Sequence, residues 1–266
     1  MLRRLVRWAG GAAACLFALV AYAWLSLPDV RSLTVENPAR TAWTDLRAAE
    51  ARAEGRAPTL VQRWVPYRRI SPNVSRAVLV AEDAAFYSHD GVDYDELEKS
   101  IELDLAKGQM VRGASTITQQ LAKNLYLSPS RNPLRKLKEL IIARRLEAEL
   151  TKRRILEIYL NVIEWGDGIY GIEAAAQTYF HQSAASLDPT QAALLAGAIV
   201  NPRVLTPARP TPRLRRRQAI ILKRMGAVRP PAAEATPAGD VAPPMAPPAA
   251  DDAGASRPNA VPAPQP

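Results

Sequence analysis

The sequence has one cysteine and only two histidines. Cys15 lies inside an apolar N-terminal run, which excludes an intrachain disulfide framework and a thiolate zinc site. His89 and His181 are too few for a histidine-built metal cluster. There is no glycine-rich phosphate loop and no internal repeat. No alternation of apolar and polar residues is long enough to define a strand, although Thr59 to Tyr67 could be extended. Acidic residues are also scarce: 26 Asp and Glu face 35 Lys and Arg, for a net charge of +9. From Pro230 onward, 37 residues contain 11 prolines and 12 alanines, a composition that cannot bury enough apolar surface to offset ordering entropy. That tail holds Glu234, Asp240, Asp251, Asp252 and Arg257, a net −3, which leaves +12 on the rest. A body so basic calls for an anionic partner.

Arg3, Arg4 and Arg7 precede an uncharged stretch from Trp8 to Leu27, long enough as a helix for the roughly 30 Å of bilayer hydrocarbon. Trp8, Tyr22 and Trp24 lie near its ends, where aromatic belts form. The spacing favours an uncleaved single-pass anchor. The alternative is a signal peptide cut near Ala21-Tyr22-Ala23. Arginines on the N-terminal side keep that end cytoplasmic, so the body lies across the inner membrane on the periplasmic or extracytoplasmic face, where nucleic acid is not the partner. The organisation expected is an anchor over 1–27, a polar and partly helical stalk over 28–58, a globular domain over 59–229 and a disordered tail over 230–266.

Caps alone predict an all-α, mostly helical domain. Ser71-Pro72, Asn132-Pro133, Asp188-Pro189 and Thr211-Pro212 each place a capping side chain before a proline suited to the first helical position. Asp93 to Glu96, Thr116 to Gln119 and Asp188 to Gln191 have capping-box or similar spacing, and Gly226 suits the position after a last helix. Helices are expected near 72–82, 94–107, 116–126, 133–150, 152–160, 171–180, 189–199 and 212–225.

Three segments carry chemistry. Glu82-Asp83-Ala84-Ala85-Phe86-Tyr87-Ser88-His89-Asp90-Gly91 gathers acids, a histidine and aromatics at the end of a helix whose buried stripe is Val74, Ala77, Val78 and Ala81. The helix dipole and desolvation there raise the pKa of Glu82, as a general base requires. The plainer reading is an acidic loop with His89 as a local hydrogen-bonding residue. Gly113 to Asn124 places Ser115 and Thr116 at a helix start, followed by Gln119, Gln120, Lys123 and Asn124. Such a start can bind phosphate oxygens or sugar hydroxyls, or be an ordinary N-cap. Arg131 and then Arg135-Lys136-Leu137-Lys138-Glu139 lie in a helix expected to face the core with Leu137, Leu140, Ile141 and Leu150. Here a solvated ion pair competes with a binding role, but the acid lies C-terminal to its cations, the less favourable helical order.

These segments resemble the family 51 glycosyltransferases, the peptidoglycan polymerases. Glu82 to Gly91 is similar to their EDxxFxxHxG, Gly113 to Asn124 to GxSTITQQLxKN, Arg135 to Glu139 to RKxxE, and Ile155 to Asn161 to ILExYLN. Ala174 to Phe180 and Asn201-Pro202 resemble a fifth region. The family writes Tyr-Phe-Gly-Lys where this chain has Tyr179-Phe180-His181-Gln182, which puts any role of a lysine at 182 in doubt.

The resemblance implies a lysozyme-like helical fold and an inverting displacement on lipid II that releases undecaprenyl pyrophosphate. It implies Glu82 as the general base and Glu139 as a second catalytic acid. Asp83, Phe86, His89, Lys99, Ser115, Thr116, Gln119, Gln120, Lys123, Asn124, Arg131, Arg135 and Lys136 are expected to bind substrate. Among these, Lys99, Lys123, Arg131 and Lys136 would neutralise the leaving pyrophosphate with help from Ser115. Glu139 beside a pyrophosphate must be protonated, hold a basic side chain, or bind a divalent cation such as Mg²⁺ or Mn²⁺. No organic cofactor is expected. Partners are the lipid-linked strand, the membrane, and cell-wall synthesis or division proteins. No Ser-x-x-Lys motif follows the polymerase region, so a monofunctional enzyme without a transpeptidase domain is expected. A lytic transglycosylase would share the helices and the glutamate but has no pyrophosphate to neutralise. A non-catalytic wall scaffold would explain the anchor but not the paired acids.

Overall fold

The computed structural model describes residues 8, 10–11, 17, 27–107, 115–129 and 132–226. Most of the expected anchor, Arg131 and the Pro/Ala-rich tail lie outside the described residues. Among the described residues no helix is long and apolar enough to cross a membrane. The domain is mostly helical: α1 Ala42–Ala53, α2 Pro72–Glu82, α3 Tyr94–Lys107, α4 Ile117–Tyr126, α5 Pro133–Glu149, α6 Lys152–Val162, α7 Ile172–Phe180, α8 Pro189–Ala198 and α9 Pro212–Met225. Three short strands, β1 Val61–Gln62, β2 Glu164–Gly166 and β3 Ile169–Tyr170, form a sheet in the order β1-β3-β2. β3 runs parallel to β1 and antiparallel to β2.

The caps do what their chemistry predicts. Ser71, Asn132, Thr116 and Thr211 each accept a backbone N–H of the helix they open, and Asp188 forms a reciprocal box with Gln191. Thr41 and Thr151 cap α1 and α6 in the same way without having been singled out. Gly226 is a right-handed C-cap at φ −68°, so its position does not draw on glycine's left-handed freedom. α8 is apolar on all sides and buried from Ala192 to Ala198, packed between α2 and α9. Around it and α6 lies the core, whose largest fully buried side chains include Trp165, Tyr159, Tyr170 and Phe86.

One expectation about the core is corrected. In α5 the buried face is Ile142, Ala143, Leu146 and Leu150, with Glu139 at its start, whereas Leu137 is 53% exposed and Leu140 and Ile141 are half-buried. The stripe was misplaced because a carboxylate occupies an inward position, which requires paired cations that an apolar count does not register. The polar, partly helical stalk expected over 28–58 packs on the domain. Val30 and Leu33 enter the core, and α1 packs on α4. The Arg154 guanidinium donates to Leu33 O at 2.8 Å, Glu36 O at 2.7 Å and Asn37 Oδ1 at 2.8 Å. These contacts are to backbone and amide oxygens, so hydropathy does not reveal them.

His181, where the resembling family writes glycine, ends α7 in the left-handed region at φ +56°. Gln182 donates to Gln191 at 2.5 Å, so position 182 serves the α7–α8 junction. A Cβ-bearing residue in the left-handed region costs roughly 1–2 kcal/mol. Glycine would relieve part of this while losing more entropy on folding. His181→Gly is therefore expected to raise the unfolding temperature by about 2–4 °C. Calorimetry checks it, and an unchanged temperature would mean that the imidazole makes compensating contacts.

Candidate active site

Glu82 is the last residue of α2 and opens onto a cleft of about 400 Å³. Val80 to Ala85, Asp93, Asp95, Glu96, Lys99, Ser115, Thr116 and Arg224 line it. Gln120 Nε2 donates to Glu82 Oε2 at 3.0 Å, and Gln120 Oε1 accepts the Tyr159 hydroxyl at 2.8 Å. A glutamine fixed by a buried tyrosine thus holds one carboxylate oxygen. Burial pushes the Glu82 carboxyl above its ordinary value; the Gln120 hydrogen bond and the charges of Arg217 and Lys123 offset part of this, while Asp83 adds to it.

Asp83 is turned the other way. Its carboxylate accepts the Ile117 N–H at the start of α4 at 2.9 Å and His89 Nε2 at 3.0 Å. The Gly91 N–H donates to His89 Nδ1 at 3.2 Å, which leaves Nε2–H to point at Asp83. Gly91 has φ +84°, and a Cβ there would come within 3.0 Å of Glu147 Cγ and 3.3 Å of Ala143 O. Only glycine lets the loop lie this close to α5. The Gly91 carbonyl accepts the Thr116 hydroxyl at 2.7 Å and Gln119 Nε2 at 3.3 Å. Phe86 is 0% exposed beneath the loop, with the Lys152 ammonium 4.4 Å from its ring centroid. Phe86, His89, Gln119 and Asn124, expected to touch substrate, are packed behind the cleft and support it. Asn124 Nδ2 donates to the Gln120 carbonyl at 2.8 Å.

The third segment is a charge cluster. Glu139 is 3% exposed and accepts Arg135 Nη1 at 2.6 Å and the Lys136 ammonium. Lys136 Nζ also reaches Gln119 Oε1 at 3.1 Å and Ser115 Oγ at 3.4 Å, which brings its charge to the cleft wall. Of the three readings left open for Glu139, this geometry is that of an acid holding basic side chains. Lys123 feels the charges of both glutamates. Burial lowers its pKa, with Glu139 opposing, Arg135 and Lys136 reinforcing, and Glu82 opposing. Lys99, on α3, also lines the cleft and is exposed.

The fourth segment, Ile155 to Asn161, is mainly structural. Asn161 is fully buried; its Oδ1 accepts Val65 N–H at 2.9 Å, and its Nδ2 donates to Val65 O at 2.9 Å and Glu157 O at 2.8 Å. Tyr159, through Gln120, is its link to the site. Arg224, which lines the cleft, and Tyr159, which fixes Gln120, are not marked as site residues by the sequence. The tyrosine sat in a recognised motif, whereas only tertiary packing brings α9 to the cleft.

The fold and site are those of a mostly helical domain with a desolvated carboxylate on a cleft and a cation cluster that reaches the cleft wall through Ser115. A family model described as Transglycosylase matches residues 51–226, and the chain belongs to that family. Within it, this is a peptidoglycan glycosyltransferase. It is similar to a biosynthetic peptidoglycan transglycosylase of Dechloromonas aromatica, 49% identical over 191 residues that cover 72% of this chain and 83% of the relative. The protein of the same description from Thiobacillus denitrificans is 45% identical over 229 residues, 85% and 98% of the two chains. That from Laribacter hongkongensis is 44% identical over 228 residues, 86% and 99%.

Proposed function

We propose that the enzyme polymerises lipid II into β-1,4-linked glycan, with the lipid-linked strand as donor and lipid II as acceptor. Glu82 takes the proton of the acceptor 4-hydroxyl while that oxygen bonds to the donor's anomeric carbon. The bond to undecaprenyl pyrophosphate breaks with its electron pair, and a single displacement inverts the α-linkage to β. Lys123 and Lys136, with Ser115 and Lys99, stabilise the charge growing on the pyrophosphate. Arg131, outside the described residues, belongs to the same group by its place in the sequence. Arg135 keeps Glu139 in register with Lys136.

The observation that carries this reading is that Glu82 and Ser115 line one cleft, with the Glu139-held Lys136 donating to Ser115 at 3.4 Å and the charge of Lys123 acting on Glu82. A hydrolase of finished glycan has no use for the cations. We derive no step through a divalent cation: Glu139, from which one was expected, already holds two side-chain cations, and a third positive charge there would be repelled. The reading also places residues 8–27 as an inner-membrane anchor and the domain on the extracytoplasmic side, beside its lipid-borne substrate and within reach of other wall-synthesis or division proteins.

The test is incubation of the full chain with lipid II in detergent, with products resolved on a gel. A ladder of glycan strands with one undecaprenyl pyrophosphate released per bond is expected. Release of soluble fragments from finished glycan, with no ladder, would establish the lytic reading instead.

A further inference from the structure

We propose that Trp43 is a positioning residue for Lys123, so that the segment preceding the matched family region completes the active site. The proposal rests on the reading of Lys123 as a group that stabilises the leaving pyrophosphate. The Lys123 ammonium lies over the Trp43 ring, 5.7 Å from its centroid, within the range of a cation–π attraction. The two acids whose charges act on Lys123 are engaged elsewhere: Glu139 by Arg135 and Lys136, and Glu82 by Gln120. The ring is therefore a face that can orient the ammonium without neutralising it. A carboxylate in its place would compete with the pyrophosphate for the same charge.

Trp43 is itself fixed. It stands in the first turn of α1, after a reciprocal capping box between Thr41 and Thr44. Its Nε1–H donates to Glu164 Oε2 at 3.1 Å. Arg47, one turn on, donates from Nε to the same oxygen at 3.1 Å and from Nη1 to Glu50 at 2.7 Å. Its guanidinium also lies 4.9 Å from the Trp43 centroid. Glu164 is buried in β2, so the ring is anchored through a rigid acceptor in the small sheet. The arrangement runs from β2 through Glu164 and Trp43 to the Lys123 ammonium. Residue 43 lies before residue 51, where the family match begins.

The alternative role for Trp43 is to pack α1 on α4 and nothing more. Trp43→Leu keeps an apolar side chain but removes the ring face, and Trp43→Phe keeps a ring but loses the hydrogen bond to Glu164. Initial rates on lipid II, resolved into kcat and KM, are measured for both on the full chain, together with Lys123→Gln and the Trp43→Leu/Lys123→Gln double variant. If Trp43 positions Lys123, Trp43→Leu lowers kcat about tenfold with KM changed by less than about threefold, because charge on the leaving group matters most in the transition state. Trp43→Phe retains most of the rate. In the Lys123→Gln background Trp43→Leu has no further effect, since the cation it orients is gone. Wild-type kcat in Trp43→Leu, or an equal loss with and without Lys123, overturns the proposal. Lys123→Gln at the wild-type rate instead overturns the role of Lys123 itself. Where Trp43→Leu does not fold, Trp43→Met, which fills space flexibly, repeats the comparison under the same criteria.

Discussion

Glu82→Gln is expected to lower the rate of polymerisation at least a hundredfold while leaving the helical circular dichroism unchanged. General-base catalysis typically contributes about 10²–10⁴-fold, and the substitution removes the base without changing side-chain volume. The amide oxygen can still accept from Gln120 Nε2, so the link to Tyr159 survives. The pH dependence has a definite sign. Burial holds the Glu82 proton more tightly in the folded state than in the unfolded chain. This contribution to stability is present in full below the ordinary carboxylate range and is lost as pH rises through the raised value. The variant should therefore unfold at an equal or higher temperature than wild type at neutral pH. The same group sets the acidic limb of the wild-type rate profile above an ordinary carboxylate's range. Activity within tenfold of wild type, about 1.4 kcal/mol, would remove Glu82 from the base role.

Glu139→Ala is expected to cost both rate and stability, which separates it from Glu82→Gln. Its carboxylate is buried between Arg135 and Lys136, whose side chains are 19% and 42% exposed. Removing one partner of a fully buried pair costs about 3–5 kcal/mol, and the partial exposure of both cations reduces this to about 1–3 kcal/mol here. The unfolding temperature should fall by several degrees. Lys136 would lose the contact that aims it past Gln119 at Ser115, so the rate should fall at least tenfold. Thermal denaturation and initial rates check the pair of effects. An unchanged unfolding temperature, with a new dependence of rate on added Mg²⁺, would mean that Glu139 binds metal and not its neighbouring cations.

The features legible in the sequence were those fixed by local chemistry. Pro72, Pro133, Pro189 and Pro212, each behind a capping side chain, mark helix starts that the structure reproduces. Glu82 at the end of α2 follows from the spacing of Val74, Ala77 and Val78, all buried. What stayed hidden depends on partners far away in the chain. Trp43 and Lys123 are joined by the packing of α1 on α4, and nothing in the Arg- and Ala-rich composition of α1 signals that contact. Arg224 lines the cleft, and the charge of Arg217 acts on Glu82, because α9 packs against α2. Phe86 and His89 stand in a segment that resembles a catalytic motif, but the structure packs them beneath the loop, and a supporting side chain and a substrate contact look alike in a one-dimensional pattern.

The grip of Arg154 on residues 33–37 has a mechanical meaning. A flexible linker of n residues lets its cargo wander over a distance that grows as the square root of n. Here the chain is fastened to the domain within a few residues of position 27, so an anchor entering there would have almost no leash. The cleft would be presented to the bilayer at a set height and attitude, and the enzyme would search for substrate by travelling in the membrane plane as one body with its anchor.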